Sequence, residues 1–392
     1  MTTIRSVQTV IVDVPLVRTH KLAMAVMQAQ SSVIVVVTSE DGRVGVGEAT
    51  TIRGAAYVPE SPESIKAVID AHIAPLMIGQ DVSGPRAVMG RISSAVVGNN
   101  FAKCAVETAL WDLYGKTLGL PISALFGGAV RKTLPVLWTL ASGDVERDIE
   151  EAETLIEARR HNVFKVKIGR ASLAEDCESL ARLAQHFGER ARFRVDVNQG
   201  WSLLEAQQGC ARLADAGVDL VEQPISRDDI SGLSLLTQRG NIAIMADEAI
   251  NGPVRMAEVI QARAGHAVSI KIAQAGGLLA ARSMIDLALL SNMGLYGGTM
   301  LEGAVGTAAS AQLFSTVEHF AWDTELFGPL LQRETLAITP LVYRDFQLEV
   351  PQGPGLGVGL DWSKVKRYGR DGQPDLDIPA DAREEVLHAV HG

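Results

Sequence analysis

A short strand-like run followed by a longer helix-like segment recurs along this sequence from about residue 134 onward. Eight runs rich in aliphatic and β-branched residues can be distinguished: LPVLWTLA, VFKVKIG, RFRVDVNQ, DLVEQP, IAIMADE, AVSIKIA, GLYGGTM and DTELFGP. Marker positions near their ends recur at intervals between 24 residues, from Asp247 to Lys271, and 29 residues, from Lys167 to Asp196. Strands and helices in alternation indicate parallel β/α units.

The number and spacing of these units predict a closed barrel of the TIM type. The alternative is an open, doubly wound sheet, which produces similar spacing. The polar residues favour the barrel, because a flat sheet would not bring side chains from the second to sixth and the eighth strands to one place. We therefore expect an α/β fold with a site at the C-terminal ends of the barrel strands.

The N-terminal third of the sequence has a different, mixed α+β pattern. Two β-rich stretches flank Glu40-Asp41-Gly42, which is a hairpin signal. Ser61 followed by Pro62 predicts the start of a helix, and a second helix is predicted from about Asn99 to Leu118. The tail after about residue 340 is again rich in strand and loop signals, and we expect it to pack back on the N-terminal part.

Composition and charge narrow the functional class. The chain is 47% hydrophobic and 21% charged, enough for a sizeable core. A formal net charge of −10 argues against a nucleic-acid-binding protein but allows an anionic substrate. Cys104, Cys177 and Cys210 form no CxxC motif and are interpreted as buried thiols in a reducing compartment. Without a signal peptide or an apolar run of about 18 residues, we expect a cytoplasmic protein with no membrane partner.

Three carboxylates follow three successive strands: Asp196 lies in RVDVNQ, Glu222 in LVEQP and Asp247 in IMADE. Converging at strand ends, they would repel one another unless a cation lay between them, and oxygen ligands select Mg²⁺ or Mn²⁺. A single acid could be a strand-end cap or a surface residue, but three in register predict a metal site. Asn198 is expected to support this site, whereas Glu248 is expected to point away and to be structural.

Lys165 and Lys167 alternate with apolar residues in VFKVKIG, so both should project from one face of a strand. Lys271 lies in the sixth run, across the barrel from them. Because burying an ammonium group is costly unless it is paired or functional, the three lysines predict a proton-transfer site beside the metal. Glu325, in the eighth run, is expected either to hydrogen-bond an enolate oxygen or to hold a lysine or a loop.

The glycine-rich stretch GGTMLEGAVG, residues 297–306, has two interpretations. It could cradle a phosphate group, or its glycines could let the seventh strand approach the substrate closely, which we favour. His161 and His266 form no metal-ligand pair and are interpreted as structural. Ser142 followed by Gly143 is interpreted as a turn rather than a nucleophile.

Together these residues resemble the signature of the enolase superfamily in its muconate lactonizing branch. The matching segments are WTLASGD, RRHNVFKVKIG, RVDVNQGW, LVEQPISR, IMADEAI, SIKIAQAGG, YGGTMLEG and TELFGPLL, with GVGEATTI and PESPESIKAVIDAHIAPLMIG before them. The resemblance covers nearly the whole chain. It implies a (β/α)7β barrel over residues 131–335, an α+β capping domain over residues 1–130, and a C-terminal segment, residues 336–392, that packs back on the capping domain.

The resemblance also implies a role for each candidate residue. Lys167 corresponds to the acid/base on the second strand, with Lys165 as its companion. Lys271 corresponds to the lysine on the opposite wall, and Glu325 to the carboxylate of the eighth strand. The three acids that follow successive strands correspond to the metal ligands of the family, which would hold Mg²⁺ or Mn²⁺.

Two loops, around residues 19–30 and 50–60, are implied to close the site and to select the substrate. The candidates in the second loop are Ile52, Arg53 and Tyr57. Phe327, in the eighth run, resembles muconate enzymes more than chloromuconate enzymes. Arg53 departs from the family, in which glycine is usual, and this cation could bind a substrate carboxylate or remain in solvent.

The implied reaction is the reversible, metal-assisted lactonization of a small dicarboxylate, cis,cis-muconate, through an enolate that Lys167 protonates, as in catechol degradation. The family resemblance also implies a homo-oligomer, with an octamer as the candidate form. The nearest alternatives are chloromuconate cycloisomerase, o-succinylbenzoate synthase, N-acylamino acid racemase and dipeptide epimerase, and the segment TELFG lacks the Asp-x-Asp motif of the last. A non-catalytic binding protein should have lost a lysine or an acid, and a Schiff-base lyase would not need three converging acids.

Overall fold

A computed structural model describes residues 2–21, 26–370, 376 and 378–379 of the 392-residue chain. This part of the chain contains a three-stranded antiparallel sheet, a seven-stranded parallel sheet and a second, smaller three-stranded sheet. None of the helices in these residues combines the length and the apolar character needed to cross a lipid bilayer.

The N-terminal sheet is an antiparallel meander of β1 (Ile4–Lys21), β2 (Val26–Ser39) and β3 (Val44–Thr50). The predicted hairpin joins β2 to β3, where the Ser39 amide donates to the carbonyl of Arg43 at 3.0 Å. Most of β2 and all of β3 are buried, because helices cover this sheet.

Five α-helices follow: α1 (Pro62–Val68), α2 (Ala74–Met77), α3 (Pro85–Ala95), α4 (Asn100–Leu118) and α5 (Ile122–Leu125). The start of α1 is confirmed, since Ser61 caps it in a reciprocal capping box with Ser64. The long helix α4 ends at Gly119, whose φ of 70° suits glycine. It packs directly on β3, where a Cβ at Gly47 would lie 1.9 Å from the carbonyl oxygen of Ala105.

After β4 (Thr133–Pro135), seven parallel strands pair with one another in chain order. They are β5 (Trp138–Leu140), β6 (Val163–Lys167), β7 (Arg192–Asp196), β8 (Leu220–Glu222), β9 (Ala243–Ala246), β10 (Ala267–Ile270) and β11 (Gly294–Gly297). The parallel register sets Lys167 beside Asp196, and Asp196 beside Glu222. Polar residues at the C-terminal ends of neighbouring strands therefore lie side by side.

Helices return the chain between these strands. They are α6 (Val145–Glu157), α7 (Leu173–Phe187), α8 (Leu203–Asp215), α9 (Ile230–Arg239), α10 (Pro253–Ala262), α11 (Ile272–Ala275), α12 (Leu278–Leu290) and α13 (Ala304–Phe314). Four of them begin at side-chain caps, from Asp144, Ser172, Ser202 and Asp229. These caps satisfy amide groups that the first helical turn leaves without a partner.

The eighth predicted strand is reduced to a bridge that closes the barrel. Thr324 forms parallel bridges to Gly297 on one side and to Val136 on the other. The Glu325 amide donates to the carbonyl of Gly297 at 2.7 Å, and the Leu137 amide donates to that of Thr324 at 2.9 Å. The sheet therefore joins its own first and last strands, which confirms the barrel and excludes the open sheet.

The C-terminal part returns to both earlier parts of the chain. It contains α14 (Gly328–Leu331), β12 (Tyr343–Arg344), β13 (Gln347–Glu349) and α15 (Trp362–Tyr368). β13 pairs with β4, the Leu356 amide donates to Asp112 of α4 at 2.8 Å, and Arg370 forms an ion pair with Asp13 of β1.

The fold class predicted from the sequence, a barrel with an N-terminal α+β part completed by the tail, is confirmed. The domain boundaries near residues 130 and 335 stay a prediction. Of the predicted C-terminal segment, residues 371–375, 377 and 380–392 lie outside the described residues, as do residues 22–25 of the first predicted capping loop.

Candidate active site

The three predicted acids lie together at one end of the barrel. Asp196 is the last residue of β7, Glu222 is the last residue of β8, and Asp247 directly follows β9. All three are almost completely buried. Because neighbouring parallel strands end at the same edge, the strand order alone brings these carboxylates close to one another.

The two lysines of β6 point to the same side of the sheet, but they have different partners. Lys165 Nζ donates to Glu325 Oε2 at 2.7 Å and to Glu222 Oε2 at 2.9 Å. Lys167 Nζ donates to Asp196 and, at 3.1 Å, to Asn198 Oδ1. Lys165 is therefore enclosed between two strand ends, whereas Lys167 lies nearer to open space.

Lys271 approaches from the opposite wall, directly after β10. Its Nζ donates to Asp247 Oδ2 at 2.6 Å and to the hydroxyl oxygen of Tyr57 at 3.3 Å. The Tyr57 hydroxyl itself donates to Asp247 Oδ2 at 3.0 Å. A Cβ at Gly298 would lie 2.8 Å from the Lys271 side chain, so this glycine leaves the space that the lysine occupies. The close approach at that glycine is to Lys271, and the two interpretations of the glycine-rich stretch stay predictions.

The buried charges shift the protonation equilibria of the site. Burial lowers the pKa of Lys165, but the carboxylates of Glu222 and Glu325 outweigh it, so this pKa is raised well above its usual value. Burial also lowers the pKa of Lys271, but the Asp247 carboxylate outweighs this effect, so the pKa of Lys271 is raised. Burial and the nearby Asp196 carboxylate raise the pKa of Glu222 well above its usual value. Lys165 and Lys271 therefore stay cationic in this arrangement.

A narrow cavity opens onto these groups. The centre of a water molecule can move within about 30 Å³ of this cavity. That volume is room for roughly two waters. Its lining residues are Ile52, Tyr57, Thr139, Lys165, Lys167, Asp196, Asn198, Lys271, Thr299, Leu301 and Glu325. The cavity thus combines side chains from the barrel with Ile52 and Tyr57, which come from the loop that follows β3.

Two of the predicted substrate-loop residues do not line this cavity. Arg53 is exposed, and its φ of 49° places it in the left-handed region that glycine favours. Phe327 is fully buried behind the site, where its ring packs on Trp138 with 4.9 Å between ring centroids. Trp138 in turn stacks on His161.

Glu248 lies next to the site, so the expectation that it points away is wrong. Its side chain is buried and accepts from Asn198 Nδ2 at 3.1 Å, and its pKa is raised to about 7 by burial and by the charges of Asp247 and Asp196. The reason is local: β9 ends at Ala246, and the alternation of a strand does not extend into the turn that follows.

Gln223 and Tyr296 are two site residues that the sequence reading missed. Gln223 Oε1 accepts from the amides of Asp247 and Ala249, at 3.0 and 3.1 Å, and so fixes the turn that carries the acid. The ring of Tyr296, on β11, lies 5.3 Å from Lys165 Nζ. The glutamine directly after Glu222 was a usable signal, because a polar residue following a strand-end acid remains near the site.

The carboxylate oxygens of the three acids suit a hard divalent cation, although in this structure each acid accepts a hydrogen bond from a lysine. Glu222 Oε1 and Asp247 Oδ1 are buried and have no hydrogen-bond partner within the described part of the chain. Unpaired buried carboxylate oxygens are costly unless a cation or a donor satisfies them. Among the described residues, no group of three or more His, Cys, Asp or Glu is gathered closely enough to hold a metal as it stands.

Two family models together match most of the chain. Residues 4–127 match the N-terminal domain of mandelate racemase and muconate lactonizing enzyme, and residues 147–364 match the enolase C-terminal domain-like family. The chain is 51% identical to muconate cycloisomerase 1-2 of Acinetobacter lwoffii, over 96% of this chain and 97% of that relative. It is 41% identical to a chloromuconate cycloisomerase of Cupriavidus necator, over 94% and 99% of the two chains.

The fold is similarly matched by solved structures. A crystal structure of muconate lactonizing enzyme from Pseudomonas fluorescens, complexed with muconolactone, superposes with a TM-score of 0.93 at 46% identity. The match covers 94% of this chain and 100% of that one. The similarity in fold and the similarity in sequence therefore point to the same group of proteins.

Proposed function

Because the chain belongs to the muconate lactonizing enzyme family of the enolase superfamily, we propose that it interconverts cis,cis-muconate and muconolactone. It is an enzyme of the isomerase class, an intramolecular lyase. The observation that carries the proposal is that three lysines line one cavity at the strand ends and pair there with Glu222, Asp196 and Asp247. This set can stabilise a carbanion next to a carboxylate and move a proton to it.

The family is metal-dependent, and we propose that this chain uses Mg²⁺ or Mn²⁺ held by Asp196, Glu222 and Asp247. Their oxygens are the ligands that hard cations prefer, and two of the buried oxygens lack a partner in the described residues. When bound, the cation would stabilise the negative charge that develops on a substrate carboxylate. Asn198 and Glu248, linked to each other and to Asp196, would orient the ligand on β7.

Lys167 is the proposed proton donor. In the forward direction one carboxylate oxygen of muconate adds to the distal double bond, and the carbon next to the other carboxylate must then take up a proton. The Lys167 ammonium supplies it and becomes a neutral amine. In the reverse direction the amine removes that proton, and the C–O bond of the lactone ring breaks. Lys167 suits this role because its side chain is 13% exposed, against 2% for Lys165 and 5% for Lys271.

The other two lysines hold charge rather than move protons in this proposal. Lys165 remains bound to Glu325 and Glu222 and places a fixed cation beside Lys167. Glu325 in turn accepts from the Thr139 hydroxyl at 2.8 Å, which fixes its orientation. Lys271 presents a second cation from the opposite wall. A dianionic substrate would thus lie between positive groups on both sides.

Ile52 and Tyr57 are the proposed substrate-selecting residues, because they bring the loop after β3 into contact with the cavity. Phe327 would act through the packing of Trp138 rather than by touching the substrate. Turnover of chloromuconate is the lesser alternative, since the relative of that name is less similar to this chain.

Further assignments remain proposals. We propose a capping domain over residues 1–130, a barrel over 131–335 and a C-terminal segment from 336, since β1 to β3, the parallel strands and β13 fall into these ranges. We propose a cytoplasmic location, because three buried free cysteines suit a reducing compartment. A homo-oligomer is proposed from the family, and light scattering on the purified protein tests it.

A spectrophotometric assay tests the proposed reaction. The purified enzyme with added Mn²⁺ is supplied separately with cis,cis-muconate, chlorinated muconates and o-succinylbenzoate, or with muconolactone for the reverse direction. We expect loss of the muconate absorbance with a kcat/KM above about 10⁴ M⁻¹s⁻¹ and weaker turnover of the others. Faster turnover of a chlorinated muconate would support the alternative, and no turnover of muconate would refute the proposal.

A further inference from the structure

Helix α4 contacts the chain directly after Lys271, although it belongs to the part of the sequence that precedes the barrel. Asn100, the first residue of α4, donates through Nδ2 to the carbonyl of Gln274 at 2.9 Å. The same amide group donates to Asn251 Oδ1 at 3.2 Å, in the loop that follows Asp247. One side chain thus links the loop behind the lysine to the loop behind the acid with which that lysine pairs.

Two turns further along α4, Glu107 contacts the start of α12. Its Oε1 accepts from the Leu279 amide at 3.1 Å and from Trp111 Nε1 at 3.0 Å. The Glu107 side chain is almost completely buried, and burial raises its pKa to about 7. A carboxylate at a helix N-terminus satisfies amides that have no partner within the helix.

Two glycines make these contacts possible. A Cβ at Gly277 would lie 1.5 Å from Glu107 Oε2, and a Cβ at Gly276 would lie 3.4 Å from Asn100. Their φ values, 130° and 97°, are those that glycine tolerates and other residues rarely adopt. The two glycines of the segment AGG therefore mark the place where helix α4 touches the loop that follows Lys271.

The loop transmits its position to Lys271 over a very short distance. Lys271 is the N-cap of the four-residue helix α11, and its carbonyl accepts from the Ala275 amide at 2.9 Å. The Gly277 amide donates to the carbonyl of Ile272, at 2.9 Å. A shift at residues 274–277 must therefore move the backbone that carries the lysine.

We propose that Asn100 and Glu107 are positioning residues that hold Lys271 against the substrate cavity from helix α4. The proposal rests on the proposed function, in which Lys271 forms one wall of the site. Neither side chain lines the cavity. Their effect on turnover should therefore be indirect, through the position of Lys271.

Asn100→Asp and Glu107→Gln test this inference, with Asp112→Asn as the matched control. Aspartate at the first position of α4 suits the helix N-terminus but cannot donate to the Gln274 carbonyl. Glutamine keeps one acceptor oxygen and places an NH₂ group where the second oxygen lies. Asp112 is a buried carboxylate on the same helix, and it accepts from the amides of Val46 and Leu356, away from the barrel loops.

Hydrogen exchange provides a measurement that does not depend on activity. In both variants we expect amides in residues 271–281 to exchange at least about tenfold faster, while residues 299–307 are unchanged. Asp112→Asn should leave residues 271–281 as they are in the wild type. Unchanged exchange in residues 271–281 in both variants, or equal acceleration in the control, would overturn the inference.

Steady-state kinetics supply the second measurement. We expect kcat for muconate to fall about tenfold or more in both variants, with KM within about twofold, because a displaced catalytic group mainly weakens the transition state. Measurements are made well below the melting temperature of each variant. A fall of the same size in Asp112→Asn would show a general loss of stability and refute the inference. If the wild type does not turn over muconate, the proposed function fails, and hydrogen exchange alone decides whether Asn100 and Glu107 position Lys271.

Discussion

Lys165 and Lys167 are two residues apart on β6 and project to the same side, yet only Lys165 is closed off from solvent. Lys165 lies between Glu222 and Glu325, whereas Lys167 contacts Asp196 and Asn198 at the edge of the cavity. The strand thus presents one lysine with a fixed ion-pair partner on each side and one that can reach a substrate. This difference leads to opposite expectations for their substitution.

Lys167→Ala should abolish turnover without disturbing the fold or the proposed metal site. General acid–base groups contribute roughly 10²–10⁴-fold, so we expect kcat to fall by at least about 10³-fold. The measurements are the muconate assay and a Mn²⁺ titration followed by electron paramagnetic resonance. The exposed Lys132→Ala variant is the control. Activity near that of the wild type in Lys167→Ala would contradict the assignment.

Lys165→Met should instead reduce the melting temperature. Removing one partner of a buried ion pair leaves the other charge uncompensated, at about 3–5 kcal/mol, and here Glu222 and Glu325 both lose a donor. Added Mn²⁺ should recover part of this loss, because a cation can replace the missing charge. Thermal unfolding with and without Mn²⁺ checks this, and a melting temperature equal to that of the wild type without metal would argue against it.

The sequence predicted most of this site because β/α periodicity alone determines which residues share an edge. Asp196, Glu222 and Asp247 each follow a strand, and parallel register then makes them neighbours. The periodicity could not show that the eighth strand is only a bridge at Thr324. Short bridges depend on how the sheet curls, which a local pattern does not contain.

The sequence pattern also could not predict contacts between distant parts of the chain. Glu107 and Leu279 are far apart in the chain, and neither residue type alone indicates the other. Glu248 was misplaced for a related reason, because alternation was extended two residues past the end of β9. The paired glycines at 276 and 277 were visible, but their meaning depends on which helix packs against them.

Divalent metal should stabilise the folded protein through the acid cluster. A ligand present at about 100 times its Kd adds roughly 2.7 kcal/mol, so Mn²⁺ should raise the melting temperature by several degrees. We expect Glu222→Gln to remove this increase. Glu60→Gln, another buried carboxylate that accepts from the amides of Phe101 and Ala102, should keep it. If Mn²⁺ raised the melting temperature equally in both variants, the stabilisation would not come from binding to the acid cluster.

Arg53 should assist capture of the dianionic substrate, since it is exposed on the loop that carries Ile52 and Tyr57 into the cavity wall. The chain carries a formal net charge of −10, so an exposed cation on this loop makes its surroundings more favourable for an anionic substrate. We expect Arg53→Gly to raise KM for muconate by about two- to fivefold at low ionic strength, with the difference shrinking at roughly 0.5 M salt. Measuring KM as a function of salt concentration checks this.

The chain offers a close control for that measurement. Arg263 is also an exposed arginine in the left-handed region, with a φ of 52°, and it lies at the C-terminal end of α10. Arg263→Gly makes the same change in charge and backbone freedom at the helix end away from the site. A salt-dependent KM in both variants, or in neither, would remove Arg53 from substrate capture.

His161 should make the stability of the protein depend on pH. The ring is buried, stacks on Trp138 and contacts the carbonyl oxygen of Val136 through Nδ1 at 2.8 Å. Burial lowers its pKa from 6.5 to about 4. The unfolded chain therefore binds a proton on this residue at a higher pH than the folded chain does. Unfolding takes up that proton, and stability must fall as the pH decreases from 6.5 toward 4.

The difference between the pKa of His161 in the unfolded and the folded chain corresponds to a loss of about 3 kcal/mol in the free energy of unfolding at the acid end of this range. A variant that cannot take up the proton, His161→Gln, should lose less stability between pH 6.5 and 4 than the wild type, even if it is less stable at pH 7. Denaturant unfolding at a series of pH values measures this difference. His186→Gln, at an exposed histidine that pairs with Glu153, should keep the slope contributed by His161. Parallel pH profiles for wild type and His161→Gln would show that this ring does not govern the acid sensitivity.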